Sequence, residues 1–331
     1  MHMADALVTP AVAGTMYACS AAAAGYSIYK VRKENDRRKI PLMGVMGAFV
    51  FAAQMINFTI PGTGSSGHLC GGMMLSALLG PYAGFLTMIG VLLIQCLFFA
   101  DGGLLALGCN VWNMAFYGCF LGSLLIWKPM MSAGTNKKRI TIASILGCVV
   151  TLQLGALSVS LETLVSGITE LPFGVFVATM QPIHLAIGLV EGVITAVVLC
   201  FVHEARPELL WGAKGKEEGR FSLKKTLGIL AGAAAVIGGV LSLFASAFPD
   251  GLEWSMEKVA GTTELATAGG VYDTFANIQE ATSFLPDYAL KGSESAIGTT
   301  ISGIVGAAIV LLVCVGCCHL FRFFKNQKCI N

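Results

Sequence analysis

Residues 69–79, LCGGMMLSALL, form an apolar run too short to cross a bilayer alone, yet the number of crossings in the chain depends on whether it does. A helix rises 1.5 Å per residue, so the run falls well short of a hydrocarbon core about 30 Å thick. The sequence around it is too oily for a soluble surface. Of its 331 residues 55% are apolar and 12% charged, and the mean hydropathy is +0.75. Eight longer apolar stretches lie at 11–29, 41–60, 82–100, 104–127, 140–161, 173–202, 227–248 and 296–321. Each approaches or exceeds the roughly 20 residues that a crossing needs.

Charge placement sets the orientation. Every Lys and Arg except Lys258 and Lys291 falls in the segments 30–39, 128–139, 204–226 and 320–331. The positive-inside rule puts all four in the cytoplasm. A chain that is inside at Lys39 and again at Lys128 crosses an even number of times, but only three full-length stretches lie between. The short run 69–79 is therefore expected to cross as well, through a thinned or protein-lined part of the membrane. The reading is an all-α polytopic membrane protein with its N-terminus outside. Residues 1–203 form a seven-span bundle, 204–226 a cytoplasmic linker, and 227–331 a two-span hairpin. The acidic connection 249–295 faces outward and is expected to be loosely ordered or draped on the bundle. No basic region precedes the first apolar run and a basic stretch follows it, so the N-terminus is expected to stay uncleaved.

That expectation gives the opening residues MHMADAL (1–7) a chemical meaning. A divalent metal that displaces the amide proton of His2 closes a five-membered ring with the Met1 amine and a six-membered ring with the imidazole. Three nitrogens then lie in one plane, a field suited to Ni(II) or Cu(II), with Co(II) admissible, and poorly suited to Zn or Mg. His68, in PGTGSSGHLCGG (61–72), lies on the same side as Met1 and offers a fourth ligand, and the glycines around it let the loop fold inward. Met3, Asn57, Ser66, Cys70 and Asn110 are weaker or outer candidates, and Gln54 is another lining residue. The alternative is a frayed terminus and a loop histidine that accepts one hydrogen bond.

Other polar and small residues have two readings each. His184 and Glu191 are seven apart on one transmembrane helix and share a face, which fits a gating role or a structural hydrogen bond. Gly14, Ala18 and Ala22 make a small-residue stripe on the first span, open to a partner or to internal packing. Cys314 and Cys317 read as small packing residues, and no disulfide framework is expected. The segment GAKGKEEG (212–219) lacks the Lys-Ser/Thr ending of a P-loop, so ATP is expected to be hydrolysed elsewhere.

MHMADAL, INFTIPGTGSSGHLCGG (56–72), FFADGGLLALGCNVWNM (98–114) and PIHLAIGLVEG (182–192) together resemble the CbiM/NikM family, the substrate-capture subunits of energy-coupling-factor cobalt and nickel importers. The tail, with PDGLEWSMEKV (249–259), is similar to the PDGLE/CbiN-type component that accompanies these subunits, here fused into one chain. The resemblance implies a metal site of the N-terminal amine, His2 and His68, the set that the chelate rings select. It also implies cobalt or nickel as transported substrate without an organic cofactor, a transmembrane coupling subunit, cytoplasmic ATPases and the cell membrane of a prokaryote, with no nucleic-acid partner. Cys70 and Cys109 stand where small or apolar residues would be unremarkable, which leaves metal preference open.

Two other classes compete. Gly64-Ser65-Ser66-Gly67 with His184 fits a rhomboid-like intramembrane serine protease, with Ser66 and His184 as its pair. A channel or secondary transporter acting alone would show paired discontinuous helices in related halves, which the sequence lacks.

Overall fold

The short run 69–79 folds as an eight-residue helix, α3 (Gly72–Leu79), and all eight residues are buried. It is wrapped by protein. Ahead of it come α1 (Pro10–Glu34), α2 (Lys39–Gln54) and a two-stranded antiparallel hairpin, β1 (Phe58–Ile60) and β2 (Ser65–Gly67), with Thr59 opposite Ser66. Behind it come α4 (Pro81–Phe99), α5 (Leu107–Ser132), α6 (Lys137–Val165) and α7 (Phe173–Ala205). The C-terminal part holds α8 (Leu223–Gly239), α9 (Gly251–Ala260), α10 (Val271–Thr282) and α11 (Ala296–Gln327). This computed structural model describes residues 1–34, 36, 39–213, 219–267, 269–292 and 296–327. Parts of the basic segments 30–39, 204–226 and 320–331, and most of 212–219, lie outside the described residues.

By length and composition, five helices among the described residues are able to cross a membrane: α4, α5, α6, α7 and Ile297–Cys317 of α11. α2 is apolar but shorter. Two boundaries differ from the hydropathy reading. The stretch 41–60 leaves the helix at Gln54, because Phe58, Thr59 and Ile60 suit a strand and the Pro61-Gly62 turn ends it. The stretch 227–248 ends its α-helix at Gly239 and continues as a 3₁₀ turn over Leu241–Phe244.

α6 and α7 run as a long packed pair, and α3 sits against α2, α4, α5, α6 and α7. The C-terminal helices α8 and α11 pack on α2 and on each other. Small residues allow this approach. A Cβ at Gly238 would meet the Gly303 backbone at 3.1 Å, and one at Gly44 of α2 would meet Val315 of α11 at 2.8 Å.

Of the two forms expected for the acidic connection, loose or draped, residues 249–267 and 269–292 take the draped one. Asp250 caps α9 by accepting from Leu252 N at 2.8 Å and Glu253 N at 3.0 Å, while Glu253 returns a bond to Asp250 N at 3.1 Å. The segment is then tied across the bundle. Trp254 Nε1 donates to Thr63 O (3.0 Å), Tyr272 OH to Val8 O (3.0 Å) and Gln279 Nε2 to Gly102 O (2.7 Å). Ser66 N donates to Pro249 O at 2.8 Å, so the hairpin β1–β2 holds the start of α9 directly.

Candidate metal centre

The chain start is inserted in the bundle. Met1 is 4% exposed and Met3 fully buried. Asn110, near the start of α5, clamps residue 3 with both ends of its amide, accepting from Met3 N at 2.7 Å and donating to Met3 O at 3.1 Å. Gly103 N also donates to Met3 O (2.8 Å), and Ala106 N donates to the Asp5 carboxylate (2.9 Å). These bonds place the amine of Met1 2.7 Å from Nε2 of His68.

His68 follows β2 and precedes α3. Its Nδ1 lies 3.0 Å from Leu69 O. A carbonyl only accepts, so Nδ1 carries the proton and Nε2 turns its lone pair toward the amine. The turn beyond needs glycine: Gly71 has φ +82°, and a Cβ there would stand 2.4 Å from Val50 Cγ1. The His2 ring stacks on His68 with centroids 5.2 Å apart, and its Nδ1 lies 3.0 Å from Asp101 Oδ1. Its Nε2 is buried without a partner. In this conformation Asp101, and no ligand site, holds the nitrogen that the six-membered chelate ring uses.

A carboxylate that the sequence reading did not select completes the cluster. Asp250 forms an ion pair with the Met1 amine and lies 3.5 Å from His68 Nε2. Burial, the largest single influence, would lower the amine pKa, but the charge of Asp250, its hydrogen bond to the amine and the other acidic groups nearby, Asp101 among them, together outweigh it and the net shift is upward from 8.0. Burial would raise the Asp250 carboxyl, but the charge of the Met1 ammonium leads the opposing influences, which hold the carboxyl well below its ordinary 3.8. Burial pulls His2 down to about 4, with Asp101 opposing, so its imidazole is neutral at pH 7. The sequence signal for Asp250 was present in PDGLE, where it was read only as a family mark. The glycine after it has a steric reason: a Cβ at Gly251 would meet Ile187 at 2.7 Å and His184 Cε1 at 3.0 Å.

The structure sorts the remaining candidates. His184 and Glu191 both point inward from α7. His184 Nδ1 donates to Met180 O at 2.7 Å, and His184 borders a cavity of about 10 Å³ together with Met1, His68, Cys70 and Asp250. Glu191 accepts from Gly71 N at 3.0 Å. Gln54 donates to Cys70 O at 2.9 Å, behind the same turn. Asn57 is half-buried, and its carbonyl accepts from Ser246 N. Cys109 is fully buried at the start of α5, and Gly14, Ala18 and Ala22 are exposed on α1, so their stripe does not pack internally. The protease pair does not form. Ser66 Oγ donates to Phe248 O at 2.7 Å, and among the described residues it makes no hydrogen bond to His184. Two backbone carbonyls beside a buried hydroxyl explain why Ser66 serves as a tether for the C-terminal segment.

A family model described as "Cobalt uptake substrate-specific transmembrane region", CbiM, matches residues 2–209, and a PDGLE domain model matches residues 224–323. The chain is 38% identical over 314 residues to a putative fused nickel transport protein NikMN of Archaeoglobus fulgidus, covering 94% of this chain and 96% of that one. It is 29% identical to a fused nickel transport protein NikMN of Rhodobacter capsulatus, covering 94% and 95%. A crystal structure titled as a truncated transition metal transporter superposes with a TM-score of 0.54 at 31% identity, covering 62% of this chain and 99% of that one.

Proposed function

The chain belongs to the CbiM family with a PDGLE domain fused behind it, and from that premise we propose that it is the metal-capturing component of an energy-coupling-factor importer for nickel or cobalt. That it is a metal transport component follows from its family. The ligand set is the proposal: the Met1 amine, the His2 amide and Nδ1, and His68 Nε2. One observation supports it most, the burial of the chain's own amine within 2.7 Å of His68 Nε2.

Charge accounting favours a divalent cargo. Before capture, the ammonium and Asp250 neutralise each other. Capture removes one proton from the amine and one from the amide and adds two positive charges, so the net charge of the buried site is unchanged. Asp250 balances both states, which avoids the several kcal/mol that an unpaired buried charge costs. His2 must release Asp101 for Nδ1 to reach the metal, while His68 Nε2 is already aimed at the amine.

In this reading the N-terminus and residues 249–292 face outward, the seven-span bundle and the two-span hairpin lie in the cytoplasmic membrane, and a coupling subunit docks on the exposed small-residue stripe of α1. Separate ATPases power release. The test is His2→Ala. It removes the imidazole and with it the six-membered chelate ring, and nickel and cobalt retained by the purified protein should fall by at least tenfold. Normal metal content in that variant would refute the ligand set.

A further inference from the structure

A second cavity of about 10 Å³ lies deeper than the first and shares the walls Cys70 and Leu152 with it. Two polar atoms on its lining residues lack partners. Glu191, 2% exposed, accepts from Gly71 N with one carboxylate oxygen and leaves Oε2 buried and unpaired. Asn113, also 2% exposed, leaves Oδ1 unpaired. The orientation of Asn113 is set by its other end, which donates to Glu162 Oε2 at 2.7 Å and to Met3 Sδ at 3.4 Å.

Leaving a carboxylate oxygen and an amide oxygen dry at the same cavity is unfavourable unless something polar enters. The cavity has room for one water or one bare cation. Its lining offers four atoms able to ligate a metal: a Glu191 carboxyl oxygen, the Asn113 carbonyl oxygen, Thr151 Oγ and the Cys70 sulfur on the shared wall. Two unpaired oxygens beside a soft sulfur suit a partly dehydrated first-row divalent metal.

We propose that this inner cavity is a second divalent-metal site, in which Glu191 and Asn113 receive an ion that passes Cys70 from the outer centre. The inference rests on the metal-capture reading above for the identity of the ion, and on the inner cavity for the site.

The test is a Ni(II) titration of the full chain in lipid nanodiscs, followed by calorimetry, with NiCl₂ as the only added ligand. The wild type should bind a tight ion and at least tenfold more weakly a second one. Glu191→Gln keeps the size of the side chain and the acceptor for Gly71 N; it should bind one ion fewer and retain the tight site. His68→Ala should lose the tight ion and keep the weaker one. The proposal is overturned if the wild type binds one ion only, if Glu191→Gln binds as many as the wild type, or if Glu191→Gln loses the tight site too, which would make Glu191 a prop for the turn at Gly71. If His68→Ala keeps its tight site, the outer ligand set fails instead, and the Glu191→Gln result still decides the inner one.

Discussion

The amine of Met1 and the carboxylate of Asp250, one from each of the two fused modules, are joined as an ion pair inside the protein. The pair sits among His2, His68 and His184, so docking of the PDGLE segment and protonation of the metal centre are one event. Asp250→Asn keeps the cap on α9, since asparagine caps as well as aspartate. It leaves the ammonium uncompensated, and a broken buried pair costs about 3–5 kcal/mol. Thermal unfolding of the metal-free protein should therefore move clearly downward in Asp250→Asn, and an unchanged melting curve would show that the pair carries no stability.

The same pair sets a pH window. The Asp250 carboxyl is depressed, so its contribution is present above the unfolded value of 3.8 and is lost as pH falls through the lower folded value. The Met1 amine is raised, so its contribution is present below the unfolded 8.0 and is lost as pH rises through the higher folded value. Metal-free protein should be most stable between these limits, and melting temperatures taken from pH 3 to 10 in one buffer series would reveal a plateau or its absence.

Metal capture has a different pH signature. His2, drawn down to about 4, is neutral over the useful range and releases no proton there. The ammonium and the amide each release one. Below the raised amine pKa, nickel affinity should therefore rise about 100-fold per pH unit, and above it about tenfold. A constant tenfold slope across both regions would mean that the amine or the amide is not a ligand.

How much of this was legible in the sequence depends on which interactions are local. The apolar runs and the pairing of His2 with His68 were readable because hydropathy and chelate-ring size are properties of short segments. The run 69–79 was read as too short to cross bulk lipid, and α3 is buried within the protein. Asp101 and Asp250 were not selected, because each acts through a partner about 100 or more residues away and neither has a spacing rule. For the acidic connection 249–295 the sequence left a loose and a draped form open. Its stability comes from capping at Asp250 and from bonds to Thr63, Val8 and Gly102, which average composition does not register.

Asn110 tests whether the terminus must be held to be useful. Asn110→Leu removes both bonds to Met3 and leaves the Met3 N–H and one bond to Met3 O unmade, at about 1–3 kcal/mol for the buried donor. The ligands themselves are untouched. Nickel affinity should fall by roughly 10- to 100-fold, the equivalent of that energy, while the Ni(II) absorption spectrum at saturation stays that of the wild type. A changed spectrum would make Asn110 a ligand, and unchanged affinity would mean that Met1 positions itself.

Gly251→Ala separates docking of the C-terminal segment from the charge of Asp250. The added methyl would stand 2.7 Å from Ile187 Cδ1 and 3.0 Å from His184 Cε1, so the first turn of α9 lifts from α7 unless these side chains give way. Asp250 then withdraws from the Met1 amine with its carboxylate intact. The amine loses its counter-charge, and the pH at which the nickel-affinity slope changes should move down toward or below 8.0, as it should in Asp250→Asn. A shift in Asp250→Asn but none in Gly251→Ala would mean that α9 stays seated and His184 gives way; a shift in neither would show that the ion pair does not control the amine.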